Sequence, residues 1–226
     1  LTYYGFVPAE SNNAYLKLSG FTRSAGEEIK KAIRELRVQK DIKSITLDLR
    51  GNPGGLLDAA VDVSEKFLPK GDLIVSIRGR DKEKEQTYFA KEEPITKSIK
   101  LAVLVDNGSA SASEIVAGAI QDHDRGVILG SKSFGKGLVQ TVIPLSFNSS
   151  LKITTARYYT PSGRCIQSVD YSQNKDVFED FNDQEGESFF TDNKREVYGS
   201  GGITPDSLVK NSSNSQLVRS LLAKGM

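Results

Sequence analysis

Seven residues, Gly108-Ser109-Ala110-Ser111-Ala112-Ser113-Glu114, set three hydroxyls between an apolar run at 101–105 and a helically periodic segment at 115–120. That pattern predicts a buried strand running into a helix, and the first turn of a helix has unpaired N–H groups that stabilise negative charge. A serine at such a junction is placed for nucleophilic acyl transfer, and Ser111 is the candidate. The chemistry also needs a general base, and main-chain donors aimed at the oxyanion of a tetrahedral intermediate. Arg50-Gly51-Asn52-Pro53-Gly54-Gly55 offers the second requirement. Glycines let a backbone come close to a substrate carbonyl, so Gly54 or Gly55 can supply one donor and the N–H of Ala112 the other.

The base is found by elimination. His123, the single histidine, lies twelve residues along the predicted helix, roughly 18 Å from Ser111 if that helix is continuous. Asp122 is roughly 16 Å away by the same rise, which leaves it a structural or indirect part. Lys136 remains, in Ser133-Phe134-Gly135-Lys136-Gly137. A lysine acts as a base only when neutral, so its pKa must fall from ~10.4 to near neutrality, roughly 4 kcal/mol of differential stabilisation that burial can provide. Phe134 and Leu138 are expected to wall off water. Gln140, four residues on and on the same face of an extended strand, can orient the amine without restoring its charge.

Each residue also has a plainer account. Ser111 with Glu114 fits the capping box Ser-x-x-Glu, and the pattern alone favours a structural cap. Ser109 and Ser113 are rival hydroxyls. Gly-Lys-Gly loops are mostly solvated turns or phosphate contacts, and Gly-Asn-Pro-Gly-Gly is an ordinary turn. Cys165 reads as a small packed side chain and His123 as a helix-end surface residue.

The elements that position these residues alternate strand with helix. A strand at 14–18 precedes Ser24-Ala25-Gly26-Glu27, a capping-box match heading a helix whose stripe is Ile29, Ala32, Ile33 and Leu36. A strand at 42–49 enters the glycine loop, and a second helix spans 56–68 until Pro69 stops it. Then come a strand at 73–77, a charged and solvated stretch at 78–93, the serine unit with Gly126 as its C-cap, a short strand at 127–129, the Lys136 loop, and a strand pair at 138–145 and 151–157. This is an α/β fold of repeated strand-loop-helix units. Residues 168–200 hold nine acidic against three basic residues and read as an irregular acidic excursion; Phe178, Phe181, Phe189 and Phe190 suggest that parts of it dock on the body.

Composition narrows the field. Among 226 residues, 38% are hydrophobic and 26% charged, as in ordinary globular domains, and a net charge of +1 gives no reason to expect nucleic acid or an anionic membrane. No apolar run reaches the ~20 residues that span a bilayer. One cysteine and one histidine exclude an internal disulfide and a cysteine metal cluster, so no metal and no cofactor is expected. An opening inside a strand suggests that residue 1 is a fragment boundary.

Taken in order, Asp48-Leu-Arg-Gly-Asn-Pro-Gly-Gly55, the serine run, Phe134-Gly-Lys-Gly137 with Gln140, Tyr158-Tyr-Thr-Pro-Ser-Gly-Arg164 and Gly202-Ile-Thr-Pro-Asp206 resemble the carboxyl-terminal processing proteases, the tail-specific protease family. The resemblance covers most of residues 14–209. It implies that the middle serine, Ser111, is the nucleophile, that Lys136 is the base with Gln140 in support, that Ala112 and the glycine loop donate to the oxyanion, and that Asp122 acts indirectly. It further implies a crotonase-like or Clp-protease-like core and cleavage of proteins near apolar C-termini in an extracytoplasmic compartment, the bacterial periplasm or cell envelope. Homo-oligomers are left open. Family members usually carry a PDZ domain ahead of the core. Residues 1–13 therefore read as a strand and linker following a missing PDZ domain, residues 14–209 as the peptidase core, and residues 210–226, where Leu217, Val218, Leu221 and Leu222 can form a short amphipathic turn, as a truncated tail. Two other readings remain: a resting peptide-binding core of the same fold that needs its PDZ domain or a partner, and an acyl-CoA enzyme, which lacks a basic nucleotide-binding cluster.

Overall fold

The computed structural model describes residues 1–79, 85–168, 187–199 and 201–209. The chain runs β1 (Tyr3–Phe6), β2 (Asn13–Lys17), α1 (Ala25–Gln39), β3 (Ser44–Asp48), α2 (Leu57–Glu65), β4 (Leu73–Gly79), β5 (Gln86–Phe89), β6 (Lys100–Val105), α3 (Ala112–Asp122), β7 (Val127–Gly130), β8 (Leu138–Pro144), β9 (Ser150–Tyr159), β10 (Ser188–Phe190), β11 (Glu196–Tyr198) and β12 (Ser207–Leu208). Six strands form one sheet in the order β1-β2-β3-β6-β7-β12, and a four-stranded sheet has the order β5-β4-β9-β8. Residues 1–13 are thus more than a lead-in, since β1 pairs antiparallel with β2 at the edge of the main sheet.

From β2 to β7 the neighbours are parallel. The crossovers that carry α1, α2 and α3 all step in one direction across the sheet, and right-handed crossovers that do so place their helices on one face. There α2 packs between α1 and α3, and α3 also reaches β4 of the second sheet. Sandwiched in this way, every residue of α3 is buried. That explains a composition of small and aliphatic residues with no exposed polar stripe. α1, lying on the outside, buries the predicted stripe Ile29, Ala32, Ile33 and Leu36 and leaves its other side to water.

The helix ends depart from the sequence reading in two places. At α1 the Ser24 hydroxyl turns to Glu28 Oε1 at 2.5 Å rather than capping the helix. At α3 the turn residue is Asp124, with φ +51, and Asp124 N–H and Arg125 N–H reach back to the carbonyls of Gln121 and Ile120. This is a Schellman closure in which a short polar side chain tolerates the left-handed conformation. Gly126 serves another purpose: a Cβ there would lie 2.7 Å from Leu101 O.

Of the acidic excursion, residues 187–199 form a hairpin, β10 with β11. It is held to the end of α3 by polar groups, while Phe189 is half-buried with its ring facing Gly163. Asp192 N–H donates to Asp122 O, Asn193 N–H to Asp124 Oδ2, and Arg195 pairs with Asp124 and Asp206. Phe190 is exposed. Residues 169–186, with Phe178 and Phe181, and the tail 210–226 lie outside the described residues. No helix among the described residues is long and apolar enough to cross a membrane.

Candidate active site

Three loops leave the carboxyl ends of the adjacent parallel strands β3, β6 and β7, and these are the glycine loop, the serine turn and the Lys136 loop. Crevices at the carboxyl edge of a parallel sheet are where α/β folds collect their functional groups. Here the loops are bonded to one another. Ala110 N–H donates to Asn52 O at 3.0 Å, Gly51 N–H to Asp106 Oδ1 at 2.8 Å and Phe134 N–H to Ser109 O at 3.0 Å. Asn52 is fully buried and folds the glycine loop over itself, its side chain donating to Leu18 O and accepting from Gly54 N–H.

The three serines part company. Ser109 is buried and its hydroxyl donates to Leu49 O at 2.8 Å; Ser113 is buried and donates to Asn52 O at 2.9 Å. Both protons are spent on joining the loops. Ser111 is half-buried at the helix N-cap, and no acceptor among the described residues takes its hydroxyl proton. Its backbone has φ 57 and ψ −111, a conformation that costs a non-glycine residue on the order of 1–3 kcal/mol and persists only where the surroundings impose it. A strained strand-to-helix turn is also the geometry that raises a nucleophile clear of its neighbours.

Two features impose that turn. Gly54, at φ +105, lies so close that a Cβ on it would be 2.7 Å from Ala110 O and 3.0 Å from both Ala112 N and Ser111 Cβ. The second is Glu114. Its carboxylate is fully buried and accepts from Ser111 N–H at 2.8 Å, which is the expected cap, but it continues into the next loop. There it accepts from Ser133 Oγ at 2.5 Å, Gly135 N–H at 2.7 Å and Lys136 N–H at 2.8 Å. Burial pushes the Glu114 carboxyl above its ordinary value against the pull of these donors. One carboxylate therefore fixes the main chain of both Ser111 and Lys136. The Ser-x-x-Glu spacing identified Glu114 as a cap; nothing in the spacing pointed to the second loop.

Lys136 does not lie where the sequence reading put it. Its side chain is exposed, as are Phe134 and Gln140, and no hydrogen bond joins Lys136 Nζ to Ser111 Oγ. The walls expected from Phe134 and Leu138 do not close: Phe134 is itself exposed, and Leu138, half-buried, opens β8 at the edge of the second sheet. The oxyanion candidates separate as well. Gly54 N–H is engaged by Asn52, while Gly55 N–H and Ala112 N–H carry no partner among the described residues.

Asp122 and His123 sit at the far end of α3. Asp122 is buried in an ion pair with Arg164 at 2.6 Å, both side chains 1% exposed, and also accepts from Ser162 N–H. Burial pulls the Arg164 guanidinium below its usual value. His123 is not a surface residue. Its ring bridges Asp192 Oδ2 at 2.8 Å and Leu73 O at 2.7 Å. Burial pulls its pKa down, but the acceptors on both nitrogens outweigh that and leave it above the ordinary value. At the mouth of the glycine loop, buried Asp48 holds half-exposed Arg50 through two bonds and accepts from the Tyr15 hydroxyl. No group of side chains among the described residues could hold a metal ion.

Known proteins share this arrangement of sequence and fold. A carboxy-terminal-processing protease of Bartonella bacilliformis is 49% identical over 163 residues, covering 71% of this chain and 37% of the relative. A carboxyl-terminal-processing protease of Synechocystis is 39% identical over 155 residues, 69% of this chain and 35% of its own. The chain spans little more than a third of the length of these relatives. A solved photosystem II D1 C-terminal processing protease superposes with a TM-score of 0.67 at 32% identity, over 88% of this chain and 42% of that one. The model of Peptidase family S41 matches residues 12–175, which takes in the glycine loop, the serine turn and the Lys136 loop, so the chain belongs to peptidase family S41.

Proposed function

We propose that this chain is the catalytic core of a serine endopeptidase that cleaves proteins near apolar C-termini. The observation that carries the reading is the division of labour among the serines: two spend their protons on joining loops, and the third stands at a strained helix N-terminus, tied through Glu114 to the loop bearing Lys136. In the reaction Ser111 Oγ attacks the scissile carbonyl while its proton passes to Lys136 Nζ. The oxyanion is held by the N–H groups of Gly55 and Ala112, and the new amine departs with the proton from Lys136. Water then hydrolyses the acyl-enzyme by the same route. Gln140 orients the lysine, and Asp122 acts only through Arg164 and the tail of α3. Neither metal nor cofactor takes part, and the setting is extracytoplasmic, in a periplasm or cell envelope.

The exposure of Lys136 supports a second reading, a resting core whose site closes when a substrate, a PDZ domain or another copy in a homo-oligomer covers the amine. A fluorophosphonate probe tests both. Labelling of Ser111 by the isolated chain, lost in Ser111→Ala and Lys136→Ala, supports the active core; Lys136→Arg is also expected to fail, because a guanidinium does not give up its proton near neutral pH. Absent labelling that appears when an unfolded protein with an apolar tail is added supports the resting core. Labelling that persists undiminished in Lys136→Ala refutes the assignment of the base.

A further inference from the structure

We infer that β8 is the strand to which the scissile chain adds, so that the ligand of this site is an extended apolar segment bound main chain to main chain; the inference rests on the peptidase reading above. Among the described residues β8 is an edge of the second sheet, with β9 its one neighbour. Leu145 N–H donates to Ser149 O, and in an antiparallel pair residues alternate between facing the partner and facing away. Counting back along the register, Ile143 and Thr141 face β9, whereas Val142 and Gln140 turn N–H and C=O to the open side. Pro144 holds the next outward position, where a residue without a donor is tolerated. The free edge is therefore short. Gly137 also faces β9, bonded to Tyr158, so Leu138 is outward as well: the edge begins two residues beyond Lys136 and is closed by a proline.

One flank is apolar and the other mixed, with Lys152 directly across from Val142, and Gln140 and Thr154 beside them. Ile143, Leu145 and Leu151 are exposed on one face of the β8–β9 hairpin and Val142 on the other. At the tip Phe147 is fully exposed at φ +59, unfavourable on both counts for folding and thus a sign of use rather than of stability. A row of outward donors and acceptors selects a strand, while alternate side chains of the guest meet the apolar face of Ile143, Leu145 and Leu151. A second copy of the chain fits less well. Symmetric pairing centred on Val142 sets Pro144 opposite Gln140 and forfeits a donor each time.

The test uses the Ser111→Ala chain and a fluorescein-labelled decapeptide of alternating valine and serine, followed by anisotropy. Val142→Ala is expected to bind within about twofold of its parent and Val142→Pro about tenfold more weakly, the loss of one edge donor. Of two decapeptides N-methylated on alternate residues, one is expected to lose binding and the other to keep it, a readout that does not depend on whether Val142→Pro folds. Equal binding by both N-methylated peptides, no binding by the parent, or a sedimenting dimer that Val142→Pro dissociates would overturn the inference. Fluorophosphonate labelling of the wild-type chain separates the two claims. Labelling without edge binding removes β8 alone, and edge binding without labelling, even when an unfolded protein with an apolar tail is added, removes the peptidase reading.

Discussion

Replacing Glu114 by Gln changes one atom and tests whether a single carboxylate holds the Ser111 turn and the Lys136 loop together. Oε1 accepts from Ser133 Oγ and Gly135 N–H, and Oε2 from Ser111 N–H and Lys136 N–H. An amide keeps one acceptor oxygen and presents an NH2 at the other site. Turned toward Ser111 and Lys136, the NH2 meets two main-chain donors. Turned toward Ser133 it meets a hydroxyl that can rotate to accept, but Gly135 N–H is still stranded. At least one buried donor thus loses its partner, at about 1–3 kcal/mol. For a chain of this size that lowers the unfolding midpoint by ~2–4 °C per kcal/mol. The amide is also relieved of the cost of burying a charge, so the sharper readouts are local. Amide hydrogen exchange is expected to speed up at Gly135 or at Ser111 and Lys136 together, and fluorophosphonate labelling of Ser111 to slow roughly tenfold, the equivalent of ~1.4 kcal/mol. Labelling and exchange both matching wild type would refute the idea that this carboxylate sets the geometry.

Three further outcomes follow from the packing. Gly54→Ala is expected to abolish labelling, because the added methyl meets Ala110 O and the Ser111 turn, whereas Gly51→Ala at φ +69 meets nothing within 4 Å and costs only about 1 kcal/mol of backbone strain; similar labelling by the two would contradict the close approach. Arg164→Met leaves Asp122 buried and unpaired and is expected to destabilise the fold by about 3–5 kcal/mol in denaturant unfolding, with Asp122→Leu in the same chain recovering much of it. Raised in the folded state, the His123 pKa makes its contribution fully present below about pH 6.5 and lost as pH climbs through the higher folded value. The difference in melting temperature between wild type and His123→Gln is therefore expected to shrink from pH 6 to pH 8.5, and a constant difference would remove His123 from the account.

How much of this was readable beforehand depends on the range of the interaction. The stripe of α1 and the strand runs obey local periods, so Ile29, Ala32, Ile33 and Leu36 fell on the buried face as expected. The serine turn was legible as a strand-helix junction, and helix geometry removed His123 as a base. What could not be read is what another part of the chain supplies. Glu114 fits a cap by spacing, yet three of its four bonds go to a loop about twenty residues away. Asp124 displaced Gly126 as the turn residue because Gly126 was needed against Leu101. Lys136 was expected to be buried by its sequence neighbours, but Phe134 is itself exposed, and whether a loop is covered is decided by what distant parts of the chain pack over it. Residues 187–199, acidic and without aliphatic periodicity, found order through ion pairs with the end of α3.

Ser133 has a consequence for when this site can come into being. Its hydroxyl bonds Glu114 on one side and accepts from Ile203 N–H on the other, while Ser133 N–H donates to Ile203 O. The loop that carries Lys136 is thus moored to a residue seventy positions further along the chain. During synthesis the ribosome delivers Ser111 and Lys136 long before it delivers that mooring. A nascent chain that already carries both residues still lacks the frame that aligns them until almost all of the described fold has been made.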